Sequence, residues 1–531
     1  MITSMGSIFF GPNVEPLGSE LKKAGWRFLG PRNAWTTADI QKAVPFISKA
    51  DPKTKMFLEK WVVARQEAVA ASVAATATLV IPSPEGLSYR GYQTAGVDFM
   101  RQRKYSLNAD APRLGKTIQS IGLVNLARAP AKVLVICPSN AKPGWCREAN
   151  KWLVHKTTVG MCEGGTNPDT DFLVINYELL GRHLKTIGSR QWDYIFVDEA
   201  HFLGNPKSAR TQNVMSLDAD KHFVFLTGTP IYTRPLQLWA MLERLDPKGL
   251  GANWWRFVKR YCNAHIDEET GRWDFNGYSN GAELQFRMRE TFMVRREKSD
   301  VYSELPTSRE TVLLPRAGLE KILKKEESLV SKNLSALFDK LKGEMSEDDW
   351  NVLGQFDGRN DIGGEVADVR REIAIAKCPM VVEFVEDLLQ TEAKVVVFTH
   401  HRDVTKILSK AFTPYGVATV IGGMTSDKRE EERRRFQEDP QCRVFVGNIT
   451  SAGSAIELSA ADVAVFAELS WVPSEIDQAE ERIWLPTKTQ PLTVYRLVIE
   501  NGVEYMMSVV LEGRQEAISR IMLKEHLQLA G

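Results

Sequence analysis

An α/β fold is predicted for this 531-residue chain: two doubly wound parallel-sheet lobes with helical insertions, preceded by a small N-terminal α+β module. Three observations carry that prediction. A short strand, Lys104 to Asn108, runs into a loop closed by Gly115-Lys116-Thr117, and Thr117 to Leu126 continues with apolar residues at helical spacing. Further along, the apolar strand Trp192 to Val197 delivers Asp198-Glu199-Ala200-His201 at its C-terminal end, where open α/β sheets bind ligands. From about Ala376 a second succession of strands follows, Lys394 to Phe398, Val417 to Ile421, Arg443 to Gly447 and Asp462 to Ala467, each trailed by helical or turn-rich sequence and without a Gly-Lys-Thr of its own.

The chain is too long for one ordinary core, and its elements divide it into four segments. Residues 1–80 form the small module: Ser19 to Gly25 reads as a helix, Trp26-Arg27-Phe28 and Ala34-Trp35-Thr36 as a hairpin around Gly30-Pro31-Arg32-Asn33, and Asp51 to Ala77 as mostly helix. Its Trp26, Arg27, Arg32 and Trp35 have two uses open to them, stacking on bases and touching phosphates or filling the core of a tiny module; packing is the commoner one. Residues 81–315 form the lobe with the phosphate loop. Residues 316–375 are a helical protrusion, with a charged amphipathic helix over Arg316 to Leu341 and a glycine- and aspartate-rich loop over Gly354 to Gly364. Residues 376–531 form the second lobe.

Composition narrows the class. A formal net charge of +1 leaves any basic groove to be local. The six cysteines are scattered, with no CxxC pair and no histidine at zinc-ligand spacing, as buried thiols of a reducing compartment are. Ala64 to Val80 is interrupted by Arg65 and Glu67, and no basic segment leads a long apolar run at the N-terminus, so neither a membrane span nor a signal peptide is expected. These features predict a cytoplasmic protein with no membrane partner.

The chemistry sits in the ordered pair of motifs. Inward-turned amides at a helix start, with the Lys116 ammonium beside them, neutralise the β- and γ-phosphates of ATP. Thr117 places its hydroxyl on Mg2+, and Asp198 holds that ion partly through water from the opposite strand. Glu199 is the carboxylate to orient and deprotonate the attacking water. One phosphate loop facing a similar lobe without one predicts a single ATP site closed by the second lobe, and a cation delivered by that lobe switches hydrolysis on. Arg482 is the candidate for that cation, against the reading of a solvated helix arginine paired with Glu480 or Glu481.

With these landmarks placed, the chain resembles the Swi/Snf-type branch of superfamily-two helicases, double-stranded-DNA translocases built from two RecA-like lobes, from about Leu87 to the C-terminus. Tyr89-Arg90-Gly91-Tyr92-Gln93 resembles the family's adenine-reading segment, which implies ATP-binding roles for Tyr89, Arg90 and Gln93 beside Arg113, Leu114, Gly115, Lys116, Thr117 and, from the second lobe, Gly453. Val135 to Ser139 followed by Trp145, Glu148 and Trp152 is similar to the motif that touches the DNA backbone. Leu226-Thr227-Gly228-Thr229-Pro230 is similar to the segment coupling hydrolysis to movement, so His201, Thr227, Gly228, Thr229 and Gln478 are implied coupling residues. Arg295-Arg296-Glu297-Lys298 with Leu305-Pro306 resembles the exit from lobe one. Phe398-Thr399-His400-His401, Gly422 to Thr425 with Arg429, Val465 to Trp471 and Gln478-Ala479-Glu480-Glu481-Arg482 follow in family order, and with Arg234-Pro235 they look most like the annealing-helicase, or HARP-type, subgroup.

Departures from the family pattern are local. Leu485 stands where a second arginine is usual, with Thr487-Lys488 in place of glycine-glutamine; Pro112-Arg113 replaces methionine-glycine in the phosphate loop; and Ser451 to Leu458 loses two glycines. Arg113 either adds charge near the phosphates or points into solvent. A translocase grips phosphates without reading sequence, so the implied DNA contacts are Ser139, Asn140, Asn176 and Tyr177 on lobe one and Thr425, Asn448 and Thr450 on lobe two, each of which has capping or turn formation as its alternative. The expectation is a monomeric, DNA-stimulated ATPase of bacterial or phage type that moves on duplex or branched DNA and remodels or reanneals it. An RNA-directed helicase and an ATP-gated DNA-binding protein with weak hydrolysis are the alternatives.

Overall fold

The computed structural model describes residues 1–508 apart from 6–7, 38–39, 231–233, 268–270, 303–306, 327, 329–363, 450–455, 471–472, 486–487, 489, 501, 503 and 506. Two compact units are formed, residues 1–73 with the short stretch 289–291, and the other described residues from Ala74 onward. The sequence expectations for Arg316 to Leu341, beyond a helical start at 320–326, and for Gly354 to Gly363 lie outside the described residues.

In the first unit β1 (Thr3–Met5), β2 (Ile8–Pro12), β3 (Arg27–Leu29) and β4 (Ala34–Thr37) make an antiparallel sheet of order β1-β2-β4-β3. The predicted hairpin is present as β3–β4, with Phe28 opposite Trp35. Its two tryptophans part company. Trp26 is buried against Phe46 with its indole donating to the Lys42 carbonyl at 2.9 Å, whereas Trp35 is half-buried beside Phe28, which is 44% exposed. The helices Leu17–Lys23 and Pro52–Val73 complete the unit.

The second unit holds two parallel sheets. The first contains β5 (Tyr105–Asn108), β6 (Val133–Cys137), β7 (Val159–Met161), β8 (Phe172–Asn176), β9 (Tyr194–Asp198), β10 (His222–Leu226) and, after a two-stranded excursion β11 (His265–Ile266) and β12 (Trp273–Asp274), β13 (Met293–Val294). Its order is β13-β5-β10-β9-β6-β8-β7. Strands so enclosed read as continuous apolar runs because both faces are covered. The period of two is visible in the packing: Leu134, Ile136, Ile195, Val197, Phe223 and Phe225 enter one core, while Val133, Val135, Phe196, Val224 and Leu226 enter the other.

The second sheet contains β14 (Thr307–Leu314), β15 (Val395–Thr399), β16 (Val417–Val420), β17 (Val444–Asn448), β18 (Val463–Phe466) and β19 (Leu492–Ile499), in the order β14-β19-β18-β15-β17-β16. The four strands expected from sequence are present within a residue or two. Two are additions. β14 falls inside the 81–315 segment of the sequence division, yet it pairs in parallel with β19 over its whole length, Thr307 opposite Leu492 to Leu314 opposite Ile499, and so belongs to the second sheet. As an edge strand it is largely solvated and carries Arg309 and Glu310, so it lacks the apolar run that marks a buried strand. The helix Gly364–Ala376, assigned by sequence to the protrusion, sends Val369, Ile373 and Ala374 into the second lobe's core.

No helix among the described residues is long and apolar enough to cross a membrane. All six cysteines are free thiols, five of them buried.

Candidate active site

Register brings the motifs to one edge. Leu226 pairs with both Asn108 and Asp198, and Cys137 with Asn176, so the segments after β5, β6, β8, β9 and β10 emerge together at the carboxyl end of the first sheet. The phosphate loop leaves β5 at Asp110 and enters the helix Lys116–Asn125 through Gly115, whose φ of 75° suits glycine and whose missing Cβ would lie 2.6 Å from Gln93 Nε2. Gln93 is buried, accepts from the Arg90 backbone N–H at 3.0 Å, and lies against this turn. Tyr89 packs on Trp152 with ring centroids 5.0 Å apart, and Arg90 bonds the Tyr302 hydroxyl. Leu114 is fully buried under the loop, and Thr117 occupies the first turn of its helix.

Lys116 Nζ donates to the Asp110 carbonyl at 2.8 Å, and burial lowers its proton affinity against the pull of Glu199, Asp110 and Asp198. The loop's root is pinned by a buried polar network. Asp110 pairs with Arg296, whose Nε donates to Oδ1 at 3.0 Å; Gln119 donates to Asp110 Oδ2 at 2.8 Å and accepts from Asn108 at 3.0 Å. Arg296 was legible only as part of the lobe's exit motif, because the partner of a buried guanidinium is set by strand order.

Asp198 and Glu199 stand at the mouth of β9. Asp198 Oδ2 accepts the Trp145 indole N–H at 2.8 Å, Oδ1 accepts the Glu199 backbone N–H at 3.0 Å, and the Asp198 carbonyl accepts the Tyr177 hydroxyl at 2.6 Å. Burial, then the neighbouring Glu199 charge, push Asp198 up to about 6. Glu199 adopts a left-handed backbone, φ 51°, a conformation uncommon for a residue other than glycine or asparagine. Burial raises its carboxyl too, opposed by Lys116 and by Arg482. Those two opposing charges come from different lobes and bear on the same carboxylate.

His201 Nδ1 meets Thr227 Oγ1 at 2.9 Å and Glu199 at 3.3 Å, with burial holding the imidazole down to about 4, hence neutral. Thr227 in turn accepts from the Thr229 backbone N–H at 3.1 Å, and a Cβ on Gly228 would sit 3.5 Å from Lys116 Nζ. Arg295 donates to the carbonyls of Ala109 and Gly228 at 2.9 and 3.0 Å, joining the phosphate loop to this segment. Gln478, expected from sequence to be a coupling residue, lies in the helix Pro473–Glu480 just ahead of Arg482. Arg482 itself is brought down to about 9 by burial first and then by the nearby Arg113. Lys488 is committed elsewhere, to Asp462 and to the Ala461 carbonyl at 2.6 Å.

The residues expected on DNA fall into two groups. Ser139 and Thr425 are exposed at turns, Thr425 capping the helix Ser426–Glu438, and Asn140 and Asn176 sit at the carboxyl ends of β6 and β8, Asn176 donating to Glu178 at 2.7 Å. Asn176, Tyr177 and Asn448 are not surface groups, Asn176 and Asn448 being 6% exposed. Tyr177 is 3% exposed with its hydroxyl held by Asp198, and Asn448 is buried and bonds the His400 carbonyl. Their roles in this geometry are to brace β9 and the turn after β15. Thr450 and Gly453 lie outside the described residues. The Trp145 link was missed from sequence, although a buried indole N–H must find an acceptor and its helix follows the strand next to β9.

No cluster of three or more His, Cys, Asp or Glu side chains able to hold a metal exists among the described residues. The donors suit Mg2+ all the same: Asp198 accepts two hydrogen bonds and keeps lone pairs free, and Mg2+ retains water and binds through one or two carboxylates and substrate phosphates.

Comparison with known proteins places these features. Residues 92–349 match the SNF2-related domain, and residues 378–484 match the helicase conserved C-terminal domain. The mouse DNA annealing helicase and endonuclease ZRANB3 is 28% identical over 464 residues, covering 82% of this chain and 41% of that protein. The Xenopus laevis SWI/SNF-related matrix-associated actin-dependent regulator of chromatin subfamily A-like protein 1 is 30% identical over 446 residues, covering 82% and 44%. The chain thus spans less than half the length of these two relatives. The Sulfolobus solfataricus SWI2/SNF2 ATPase core in complex with dsDNA aligns with a TM-score of 0.40 at 21% identity over 86% of this chain and 97% of that one.

Proposed function

This chain belongs to the SNF2-related helicase family, and on that footing we propose that it is a motor that hydrolyses ATP on binding duplex or branched DNA and uses the lobe movement to remodel or reanneal it. The observation that carries the reading is that the Arg482 turn of one lobe is seated on the phosphate loop of the other, Arg113 donating to the Glu481 and Arg482 carbonyls at 3.0 and 3.2 Å and Lys298 pairing with Glu481. Phosphoryl transfer is chiefly positioning and charge stabilisation, so a site whose cations come from both lobes is complete only when they meet. Lys116, now bonded to the Asp110 carbonyl, turns to the β- and γ-phosphates; Glu199 orients the water; Arg482 offsets the charge that develops on the transferring group. Thr117 and Asp198 would hold Mg2+, which neutralises charge on the β- and γ-phosphate oxygens when bound.

Coupling runs through named contacts. Glu199 touches His201, His201 touches Thr227, and Arg295 ties Gly228 to the phosphate loop, so a change at the γ-phosphate reaches the segment after β10 without leaving hydrogen-bonding distance. Stepping requires the open and closed states to differ in DNA affinity, and Ser139, Asn140 and Thr425 are the groups proposed to grip the backbone. One chain supplies both cations, which supports a working monomer, and its free cysteines support a reducing cytoplasm.

The test is ATP turnover against single-stranded, duplex and forked DNA and RNA, with Lys116→Ala as the blank. Stimulation by duplex or forked DNA is expected. Stimulation by RNA alone, or turnover persisting in Lys116→Ala, would overturn the reading.

A further inference from the structure

The turn that carries Arg482 is held from both sides. Within the second lobe, Glu480 accepts from Arg309 at 2.8 Å and Arg496 at 3.2 Å, and Leu458 N–H donates to the Arg482 carbonyl at 2.8 Å. From the first lobe, Lys298 pairs with the Glu481 carboxylate and lies 4.0 Å from the centre of the Trp484 ring. The third grip comes from the phosphate loop itself. Arg113 donates through Nε to the Glu481 carbonyl at 3.0 Å and through a terminal nitrogen to the Arg482 carbonyl at 3.2 Å.

Arg113 holds this fork from a left-handed backbone, φ 67°, a conformation that disfavours any side chain with a Cβ. It is half-buried, with its guanidinium turned to the second lobe's carbonyls. A planar guanidinium is suited to the task, because it presents two parallel N–H groups to two successive carbonyls, which an ammonium does not.

We propose that Arg113 is a positioning residue for hydrolysis: its fork on the Glu481 and Arg482 carbonyls fixes where the Arg482 side chain stands, so that loop closure around phosphate and placement of the second lobe's cation are one event. The inference rests on the motor reading and deepens it. The Arg113 fork lies on the backbone that carries the Arg482 guanidinium, so two positive charges share this turn, and a polyphosphate between the lobes would offset their repulsion.

The experiment compares wild type, Arg113→Met, Arg113→Lys, Arg482→Met and the double methionine variant in ATP turnover at saturating ATP and duplex DNA, with AMP-PNP binding measured alongside and enough protein that Arg482→Met stays above background. Arg113→Met should lose about tenfold or more in kcat while AMP-PNP affinity stays within about threefold, as expected for losing charge-assisted bonds that act on a neighbour. The double variant should be no slower than Arg482→Met, and Arg113→Lys should recover only part of the rate. A loss in the double variant equal to the product of the single losses, or weaker AMP-PNP binding with kcat intact, would overturn the proposal. Should Arg113→Met fail to fold, Arg113→Lys carries the test: full wild-type kcat in that variant sinks it. If wild type itself shows no nucleic-acid-stimulated turnover, the motor reading falls; if only Arg482→Met is slow, the motor stands and this inference falls.

Discussion

Trp145→Phe isolates one hydrogen bond at Asp198, the carboxylate proposed to hold Mg2+. The indole N–H donates to Asp198 Oδ2 at 2.8 Å, while the ring packs on Phe196 with centroids 6.2 Å apart, so phenylalanine keeps most of the packing and removes only the donor. A hydrogen bond to a charged group contributes about 1.5–3 kcal/mol. Removing the partner that supports a metal ligand costs about tenfold to hundredfold in metal affinity, and a loss of that size is expected here for Mg2+. The same bond favours the ionised carboxylate, so Asp198, already at about 6, rises further. Protonation removes the charge that binds the ion; affinity therefore falls as pH falls, and in the variant that fall begins at higher pH, by about one to two units. Turnover titrated with Mg2+ at saturating ATP and duplex DNA reads the first effect, and the same titration at several pH values reads the second. A folded variant with an unchanged Mg2+ midpoint at every pH would refute the reasoning.

Arg482→Ala should reduce DNA-stimulated kcat by about a thousandfold while leaving ATP affinity near wild type, since an arginine of this kind acts on the transition state; equal losses in both would mean it binds ground-state phosphate instead. Arg296→Met leaves Asp110 buried without its partner and should destabilise the protein by about 3–5 kcal/mol in urea unfolding, with an unchanged midpoint counting against the network. Gly96→Ala should act on the same network, because its Cβ would fall 1.9 Å from Gln119 Oε1; wild-type stability in that variant would show that Gln119 has room to move. His201, held down to about 4 against an ordinary 6.5, is neutral when folded. Below pH 6.5 the unfolded chain takes up a proton that the folded one refuses, so stability falls with pH until about 4. Between pH 6.5 and 5 wild type should lose about 1.6 kcal/mol more than His201→Asn, and parallel unfolding curves for the two would contradict the assignment.

Several features were readable from residues alone because each is a local rule. The apolar strand ending in Asp198-Glu199 is self-announcing, since a strand buried on both faces has no polar positions to spare. Gly115 before Lys116 specifies a left-handed turn into a helix, and the structure has that turn. By contrast β14 and β19 escaped, one because an edge strand may be charged and the other because Arg496 interrupts its apolar run with a guanidinium that finds Glu480. Tyr177 and Asn448 look like surface polar groups in the sequence and are buried braces in the fold, since a hydroxyl or amide next to a strand end serves either purpose.

The order of motifs along the chain determined that this protein has one phosphate loop, one acidic pair and two lobes to enclose them, because backbone geometry and side-chain charge at those positions are set within a few residues. Which groups meet was decided only by the tertiary structure: that Trp145 supports Asp198, that Arg296 anchors Asp110, and that Arg113 reaches the Arg482 turn. The reason is sequence distance. Arg113 follows a strand of the first sheet and Arg482 lies between two strands of the second, and a contact between them exists only where strand register and the approach of two lobes have fixed both ends.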